Sequence, residues 1–392
     1  MKVKKLVARE INDTRGDKTI EIFLSTGNGE FVASAPNGKS KGSNEKIVWK
    51  KSLKEDIKSV NEYFIEEINL NKFDDLNLIE ENFSDRVGGN TIIALEYAFL
   101  KALAKEKDLE VWELINPRAN KFPLQVGNIL GGGKHTKGKC PDFQEFHIIP
   151  STKSFSKSVE ISKRAHGNCK EILKNIDKKF SEKMNDVNAW QSSLSNEQAM
   201  DLMEDIRDNM KDEFKEKIHL GIDVAASSFY ETFGRNYSYK NERERLTKKE
   251  NVEYMKKISE KFYYLEDPFE EEDFDSHARL NNFSRGLVCG DDLIVTNYDR
   301  LLFALKRKAV NCIIVKPNQI GSLIEVKKIV GLCRKNNIKM VFSHRSGETK
   351  ENILADLAFG FGADFIKTGV IGKGREEKLN RLIEIEESLA AK

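Results

Sequence analysis

The chain has 392 residues, of which 39% are hydrophobic and 33% charged, and its 65 basic and 63 acidic residues leave a net charge of +2. This length suits two domains with a large core, and the near balance of charge argues against general electrostatic binding to nucleic acid. No stretch of 18 or more apolar residues occurs, so we expect no membrane span. Five scattered cysteines without a CxxC pair indicate neither a zinc ribbon nor a disulfide framework. The start, MKVKKLVAREIND, lacks the apolar core of a secretion signal, and we expect a cytoplasmic protein with reduced thiols.

The first part of the chain is predicted to hold strands followed by helices. Residues 1 to about 46 alternate as strands do, in KVKKLVAREI, TIEIFLST and FVASAPNG, before the Gly- and Ser-rich loop PNGKSKGSNE. From about Leu53 to Lys107 the periodicity is helical, and Asn90 is a candidate cap for the helix that follows it. We therefore expect an α+β domain over residues 1–122, ending at a linker bracketed by Pro117 and Pro123.

The second part, residues 123–392, is predicted to be an α/β domain. The segment LQVGNILGGGKHTKGKCPDFQEFHIIP predicts two antiparallel strands around a Gly-rich turn. Residues 152–217 are mostly helical, with an irregular gap near NDVNAWQSSLSNEQ. From His219 onward strands and helices alternate regularly, which favours a barrel.

Six polar residues follow or end the short apolar runs of this second part. They are Asp223, Glu266, Asp291, Lys316, His344 and Lys367, and subtracting successive numbers gives gaps of 43, 25, 25, 28 and 23 residues. A gap near 25 is about one strand, one helix and two loops, so these groups are expected at the C-terminal rim of an α/β barrel.

The order of this ladder, three acids and then Lys, His, Lys, indicates a metal site facing a cationic one. Hard divalent cations such as Mg²⁺ prefer carboxylate oxygens, and a lysine near a metal and a second cation can act as a base. Each residue alone has a plainer reading, because an Asp after a strand is often a helix cap and a single lysine often extends its ammonium to solvent. Their common spacing favours the functional reading.

The chain resembles the enolase (phosphopyruvate hydratase) family nearly from end to end. The motifs, in order, are AREINDTRGDKTIEI, APNGKSKGSNE, GGNTIIALEYAFLKA, GGGKHTKGK with QEF, GIDVAASSF, YYLEDPFEEEDF, GDDLIVTN, IIVKPNQIGSL, SHRSGET and IKTG. The resemblance implies an N-terminal α+β cap domain followed by an enolase-type eight-stranded α/β barrel whose first units depart from simple βα order. It also implies a cytoplasmic homodimer or higher homo-oligomer that acts in glycolysis, dehydrating 2-phosphoglycerate reversibly to phosphoenolpyruvate.

The same resemblance implies a role for each matching residue. Asp223, Glu266 and Asp291 match the ligands of one Mg²⁺, and Ser40 matches the loop residue that reaches a second Mg²⁺ bound with the substrate. Lys316 matches the base that takes the α-proton, a pattern already described for the enolase superfamily. The remaining matches are Lys367 for the substrate carboxylate, Arg345 and Ser346 for the phosphate, and His135, Gln144, Glu145 and His344 as further active-site groups.

One loop departs from the family pattern. Enolases carry a GDEGGFAP loop whose Glu is the usual general acid, and the alignment puts NAWQSSLSN, residues 188–196, in its place. The acid would then be replaced by Trp190 or Gln191, neither of which donates a proton as a carboxylic acid does. The closing loop also gains Lys39 and Lys41, and Ser228 stands where Glu is usual.

Three functions remain open at this point. The chain is a divergent working enolase in which Glu145 or a metal-polarised water supplies the proton, or an enolising enzyme for another phosphorylated or carboxylated substrate, or a non-catalytic binding protein. Retention of both lysines, the three acids and SHRSG argues against the third, since a scaffold needs none of them. General acid catalysis typically raises a rate about 10²–10⁴-fold, so loss of the acid argues against the first function, that of a working enolase.

Overall fold

The computed structural model describes residues 1–38, 45–63, 65–136 and 138–391, and the predicted loop residue Ser40 lies outside these ranges. The N-terminal part contains an antiparallel sheet of order β1–β2–β3 with helices packed against it. Its elements are β1 (Val3–Asn12), β2 (Lys18–Thr26), β3 (Gly29–Ser34), α1 (Leu53–Asn61), a 3₁₀ turn (Phe73–Leu76), α2 (Asn77–Phe83), α3 (Gly89–Glu106) and α4 (Val111–Ile115). The predicted order of strands before helices is confirmed here.

Helix α3 is buried along most of its length, and its start differs from the prediction. The N-cap is Gly88, which has no side chain to cap the helix, and Asn90 lies inside the first turn. The Asn90 amide nitrogen instead donates to the carbonyl oxygen of Pro36 at 3.0 Å. Its amide oxygen accepts from Asn318 at 3.1 Å, so this residue joins the N-terminal part to the second part of the chain. Tertiary contacts thus outweigh the local capping preference that the sequence indicated.

The second part contains a ten-stranded sheet and a small separate sheet. Its strands are β4 (Leu124–Gln125), β5 (Gly127–Gly131), β6 (Glu145–Ser151), β7 (Trp190–Gln191), β8 (Lys217–Asp223), β9 (Tyr230–Glu231), β10 (Asn236–Tyr239), β11 (Glu244–Thr247), β12 (Tyr264–Glu266), β13 (Leu287–Gly290), β14 (Cys312–Val315), β15 (Lys339–Ser343) and β16 (Phe365–Lys367). Its helices are α5 (Phe155–Ile176), α6 (Asn196–Phe214), α7 (Lys248–Ser259), α8 (Phe274–Phe283), α9 (Tyr298–Arg307), α10 (Pro317–Ile320), α11 (Leu323–Lys335), α12 (Ile353–Gly360) and α13 (Glu376–Ala390).

The large sheet curls into a barrel. Its order is β4–β16–β15–β14–β13–β12–β8–β6–β5–β7, and β4 and β5 are separated along the chain only by Val126. Strand β4 pairs with β16 while β5 pairs with β6, so this one segment joins the two ends of an eight-stranded wall. Strand β6 is antiparallel to both of its neighbours, whereas β8 and the later strands run parallel. The predicted antiparallel start and barrel are confirmed.

Apolar side chains fill the barrel interior and the layers outside it. Short β-branched runs such as CIIV form strands that are buried on both faces, as parallel barrel strands are. A small cluster that includes Val126, Ile314 and Phe365 fills part of the barrel, and larger clusters lie beneath the surrounding helices and the N-terminal sheet. Among the described residues, no helix combines the length and the apolar character that a membrane span requires.

One buried histidine of the helical layer predicts how the fold responds to acid. The His277 ring is fully buried in α8, its Nδ1 donates to the carbonyl oxygen of Asp273 at 2.9 Å, and burial lowers the pKa of His277 to about 4. The unfolded residue titrates near its ordinary pKa of about 6.5. Only the unfolded chain takes up this proton as the pH falls below about 6.5. Protonation of His277 in the unfolded chain is therefore expected to lower the free energy of unfolding by about 3 kcal/mol at pH 4.

Urea denaturation at pH 7 and pH 4.5 checks this expectation. The variant His277→Leu cannot take up the proton, so it is expected to lose less unfolding free energy on acidification than the parent protein does. Equal losses in the two proteins would contradict the assignment.

Candidate active site at the barrel mouth

The six polar residues of the ladder lie at one rim of the barrel. Asp223, Glu266 and Lys367 are the last residues of β8, β12 and β16, and Asp291, Lys316 and His344 directly follow β13, β14 and β15. All predicted site residues within the described ranges, except Glu266, line one cavity at this rim. They are the other five ladder residues and Gln144, Glu145, His135, Arg345 and Ser346. Glu266 is fully buried just beneath.

Lys367 occupies the centre of the carboxylate side of this cavity. Its ammonium lies 2.8 Å from both Glu266 oxygens, 3.0 Å from Asp223 Oδ2 and 3.2 Å from Glu145 Oε2. Burial alone would lower the pKa of Lys367, but the charges of Asp223 and Glu145 outweigh it and hold that pKa well above its ordinary value. The register supports this arrangement, because Glu145, Asp223 and Glu266 lie side by side on three adjacent strands.

Glu266 is held from below by an aromatic hydroxyl. Tyr264, two residues earlier on the same strand, donates its hydroxyl to Glu266 Oε2 at 2.6 Å. Burial and the nearby charge of Asp223 raise the pKa of Glu266 well above its ordinary value. A positive charge beside this carboxyl is therefore strongly favoured, because it offsets the two neighbouring negative charges. The Lys367 ammonium provides that charge in the described arrangement.

Lys316 lies on the other side of the cavity and pairs with Asp291. The ammonium donates to Asp291 Oδ2, and both side chains are largely buried. Burial would lower the pKa of Lys316, but the charge of Asp291 outweighs it and raises that pKa. Burial would likewise raise the pKa of Asp291, and the Lys316 charge lowers it instead. The second oxygen, Asp291 Oδ1, is buried and has no hydrogen-bond partner among the described residues.

The connection between β5 and β6 contributes His135 and Gln144, and β6 begins with Glu145. The Gln144 amide nitrogen donates to Asp223 Oδ2 at 3.4 Å. His135 Nδ1 lies 3.3 Å from Glu145 Oε1. Burial would raise the pKa of Glu145, but the Lys367 charge and the two neighbouring histidines, His135 and His147, hold it well below its ordinary value. Glu145 is therefore a carboxylate in this arrangement.

Arg345 presents its guanidinium to the cavity near the N-terminal part of the chain. Its Nη2 lies 3.0 Å from Oε1 and 3.2 Å from Oε2 of Glu45, and its Nη1 donates to Asn318 at 3.2 Å. A carboxylate thus lies on the fork that is suited to a phosphate. The neighbouring Ser346 hydroxyl accepts from Arg15 Nη1 at 2.7 Å.

His344 is fixed by Arg375 behind the cavity wall. Arg375 Nη1 lies 2.6 Å from His344 Nδ1, and since a guanidinium only donates, Nδ1 accepts and Nε2 carries the proton. Burial and the Arg375 charge hold the pKa of His344 well below its ordinary value. His344 is therefore neutral and offers an Nε2–H.

The carboxylates of this cavity fit a hard divalent cation. Asp223, Glu266 and Asp291 offer only oxygen donors, one Asp291 oxygen is buried without a partner, and an ammonium already lies against the other two carboxylates. A second grouping overlaps with this set, because oxygens of Asp267, Asp291 and Asp292 lie within 4.8 Å of one another. Both groupings contain Asp291.

The rewritten loop reaches the cavity through a different residue from the one predicted. Val187 lines the cavity, whereas Trp190 and Gln191 form β7 outside the barrel. The Trp190 indole donates to the carbonyl oxygen of His166 at 2.8 Å and packs on the His166 ring. The expectation that Trp190 or Gln191 stands in place of the acid is wrong, because neither residue lines the cavity and both belong to β7, which pairs with β5. Ser228, where Glu is usual, does line the cavity.

Several residues of the site were missed from sequence. Asp267 and Asp292 each directly follow a ladder residue, and the Asp267 carboxylate accepts the backbone N–H groups of Asp291 and Asp292 at 2.8 and 2.6 Å. The adjacent acids in LEDPF and GDDL were a signal for these two. Glu45 and Arg375 had no local signal, since their roles depend on chain segments far apart in sequence.

Comparison with known proteins agrees with this arrangement. Residues 3–115 match the protein family described as "Enolase, N-terminal domain". Residues 119–392 match the family described as "Enolase, C-terminal TIM barrel domain". The chain belongs to the enolase family. Proteins named Enolase from Methanothermobacter thermautotrophicus and Archaeoglobus fulgidus are each 35% identical over 97% of this chain, covering 95% and 96% of their own lengths. The Enolase of Sulfolobus acidocaldarius is 35% identical over 98% of this chain and 95% of its own length.

Family membership makes the chain an enzyme of the lyase class and agrees with the barrel described above. Against the enolase pattern, the ladder residues are all present at the mouth, and the departures among the residues that line the cavity are Ser228 and the loop that contributes Val187. Lys316 and Lys367 both line the cavity, whereas the rewritten loop places the apolar side chain of Val187 there.

Proposed function

We propose that this enolase-family protein is a Mg²⁺-dependent hydro-lyase that interconverts 2-phosphoglycerate and phosphoenolpyruvate, with Lys316 as the base that takes the α-proton. The observation that carries the proposal is one cavity lined by the buried Lys367, the largely buried Lys316 and carboxylates suited to a dication. The α-proton beside a carboxylate is weakly acidic, so its removal needs both a positioned base and stabilisation of the resulting dianion.

The metal would be held by Asp223, Glu266 and Asp291, and a second ion by Ser40 with the substrate. When bound, Mg²⁺ supplies positive charge that stabilises the dianion formed at the substrate carboxylate. Lys367, already surrounded by carboxylates, is assigned to the same end of the substrate. Lys316 must leave Asp291 and lose a proton before it can act as a base, since their pairing keeps it protonated.

The phosphate end of the substrate is assigned to Arg345 and Ser346. A planar guanidinium offers two parallel donors that match phosphate oxygens. The Glu45 carboxylate at 3.0 Å from Arg345 supports this assignment, because an anion is already stable on that fork. Gln144 and His344 complete the walls through neutral N–H donors.

The leaving hydroxyl is assigned to the pair formed by Glu145 and His135. Glu145 is held as a carboxylate, and its Oε1 lies 3.3 Å from Nδ1 of the His135 ring. The pair then passes a proton to the departing hydroxyl as the C–O bond breaks and water leaves. Glu145 and His135 both line the cavity, and Val187, which the rewritten loop contributes to it, has no proton to donate.

An assay with 2-phosphoglycerate and Mg²⁺ tests the proposal. We expect formation of phosphoenolpyruvate that stops when Mg²⁺ is chelated and returns when it is restored. Background-level conversion by folded protein that still binds 2-phosphoglycerate would refute the dehydration.

A second candidate function has one observation in its favour. The rewritten loop places Val187 in the cavity and no carboxylic acid, so a site that enolises a different phosphorylated or carboxylated substrate would keep Lys316 and the metal ligands without needing that acid. Exchange of the α-proton of 2-phosphoglycerate with solvent, without any dehydration, would favour this alternative.

The proposal extends to the organisation of the molecule. We assign residues 1–122 to the cap domain and 123–392 to the barrel, and we propose a cytoplasmic homodimer or higher homo-oligomer that works in glycolysis. Family membership supports these assignments. Sedimentation of the purified protein tests the assembly, and a monomer at all concentrations would contradict it.

A further inference from the structure

A second polar layer lies directly beneath the carboxylates of the barrel mouth. His147 and Glu145 are two residues apart on β6, as Tyr264 and Glu266 are on β12, so each pair shares one face of its strand. His147 and Tyr264 both align with Gly221 of the intervening strand, and their rings approach to 5.9 Å between centroids. A side chain at Gly221 would meet Tyr264 at 3.0 Å, so glycine lets the two rings approach.

Each ring of this layer contacts the carboxylate above it. Tyr264 donates to Glu266 at 2.6 Å, and His147 Nε2 lies 3.0 Å from Glu145 Oε2. The His147 ring is fully buried, and burial lowers its pKa, so it is a neutral imidazole with a single N–H. Glu145 is a carboxylate and only accepts, which puts that N–H on Nε2.

The remaining nitrogen of His147 agrees with this tautomer. Nδ1 is buried without a hydrogen-bond partner among the described residues. An N–H there would be an unsatisfied buried donor, whereas a lone pair beside an aromatic ring in the Nε2–H tautomer leaves no donor unpaired. The hydrogen bond to Glu145 therefore decides which nitrogen carries the proton.

Unlike Lys367, His147 contacts no carboxylate other than Glu145 among the described residues. The Lys367 ammonium is shared between Glu145, Asp223 and Glu266. A substrate carboxylate that draws Lys367 away leaves Glu145 without that partner. Among the described residues the His147 side chain has one polar contact, Glu145 Oε2, while Glu145 Oε1 lies 3.3 Å from His135 Nδ1 on the cavity side.

We propose that His147 is a positioning residue that holds the Glu145 carboxylate from beneath, so that Oε1 stays aimed at His135 and the leaving group. The inference rests on the proposed dehydration, in which Glu145 and His135 serve the leaving hydroxyl. It concerns elimination and not removal of the α-proton, which belongs to Lys316 on the far side of the cavity.

Two substitutions separate the hydrogen bond from the space that the ring fills. His147→Leu keeps an apolar side chain of similar size but removes the donor, and it is expected to lower kcat for dehydration about 10- to 100-fold, the range typical of partners that orient active-site ligands. KM and the rate of α-proton exchange are expected to stay unchanged. His147→Gln keeps an N–H donor and is expected to remain within about threefold of the parent.

The control is His277→Leu, which removes another fully buried histidine on an outer helix that does not line the cavity. Equal losses of kcat in His147→Leu and His147→Gln, or equal losses of dehydration and α-proton exchange in His147→Leu, would overturn the proposal in favour of a packing role. A His147→Leu variant as active as the parent would also overturn it.

A spectroscopic readout separates this inference from the proposed function. In ¹⁵N-histidine-labelled, metal-free protein, the His147 signals, assigned by their loss in His147→Gln, are expected to show a neutral ring protonated at Nε2. A proton on Nδ1, or a cationic ring at neutral pH, would overturn the positioning role even in an active enzyme. An inactive parent with the Nε2–H tautomer would refute the dehydration and leave the hydrogen bond to Glu145 supported.

Discussion

Replacement of Lys316 by alanine is expected to lower both α-proton exchange and dehydration of 2-phosphoglycerate by about 10²–10⁴-fold, the usual worth of a general base. Lys316 lines the cavity with its side chain 14% exposed, and the other central lysine, Lys367, is enclosed by three carboxylates. Of these two lysines, Lys316 is therefore the one with a single carboxylate partner among the described residues, and it can be released toward a substrate proton.

The measurement is the loss of the α-proton NMR signal of 2-phosphoglycerate in D₂O with Mg²⁺. Lys328→Ala is the matched control, because Lys328 lies exposed on α11 and pairs only with Glu325. Exchange at the parent rate in a folded Lys316→Ala variant would refute the role of Lys316 as the base. Loss of dehydration with exchange retained would assign Lys316 to a later step.

Replacement of Asp223 by asparagine is expected to weaken Mg²⁺ binding by more than about 100-fold, since even partners outside the metal's ligand set are typically worth 10–100-fold. Asp223 lies beside Glu266 in the strand register, and its removal deletes a charged oxygen donor from the proposed set. Asp292→Asn is the matched substitution, because Asp292 is an aspartate of the same cavity that belongs only to the second acidic grouping.

Calorimetric titration of each variant with Mg²⁺ distinguishes the two groupings. We expect Asp292→Asn to bind Mg²⁺ within a few-fold of the parent protein. The reverse result, with Asp292→Asn losing the metal and Asp223→Asn keeping it, would move the metal to the grouping of Asp267, Asp291 and Asp292. Either outcome leaves the assignment of Asp291 unchanged, because it belongs to both.

Much of the candidate site follows from local sequence. An apolar run of four or five residues that ends in a charged one predicts a buried strand whose terminal side chain reaches the rim, and all six ladder residues lie at such ends. The antiparallel start of the barrel followed in the same way from two strands around a Gly-rich turn. These features depend on neighbours within a few residues, which is the range over which periodicity carries information.

The misplaced residues share a different physical origin. The alignment put Trp190 at the position of the family's acid, but Trp190 pairs in β7 with β5 and packs on His166, and Val187 lines the cavity instead. Asn90 was expected to cap a helix, but its side chain contacts Pro36 and Asn318. In both cases contacts between distant segments outweigh a weak local preference.

The sequence by itself determined the family motifs, the strand ends and the residue types available at the barrel mouth, because each is written in short contiguous segments. Tertiary structure alone decided which groups meet. Lys367 contacts Asp223 across 144 residues and Glu266 across 101, and Arg345 meets Glu45 across 300. Burial alone would lower the pKa of Lys367 and raise that of Glu145, but the carboxylates around Lys367 raise its pKa and the Lys367 charge lowers the pKa of Glu145. The polar layer of His147 and Tyr264 likewise exists only because strand register sets both beside Gly221.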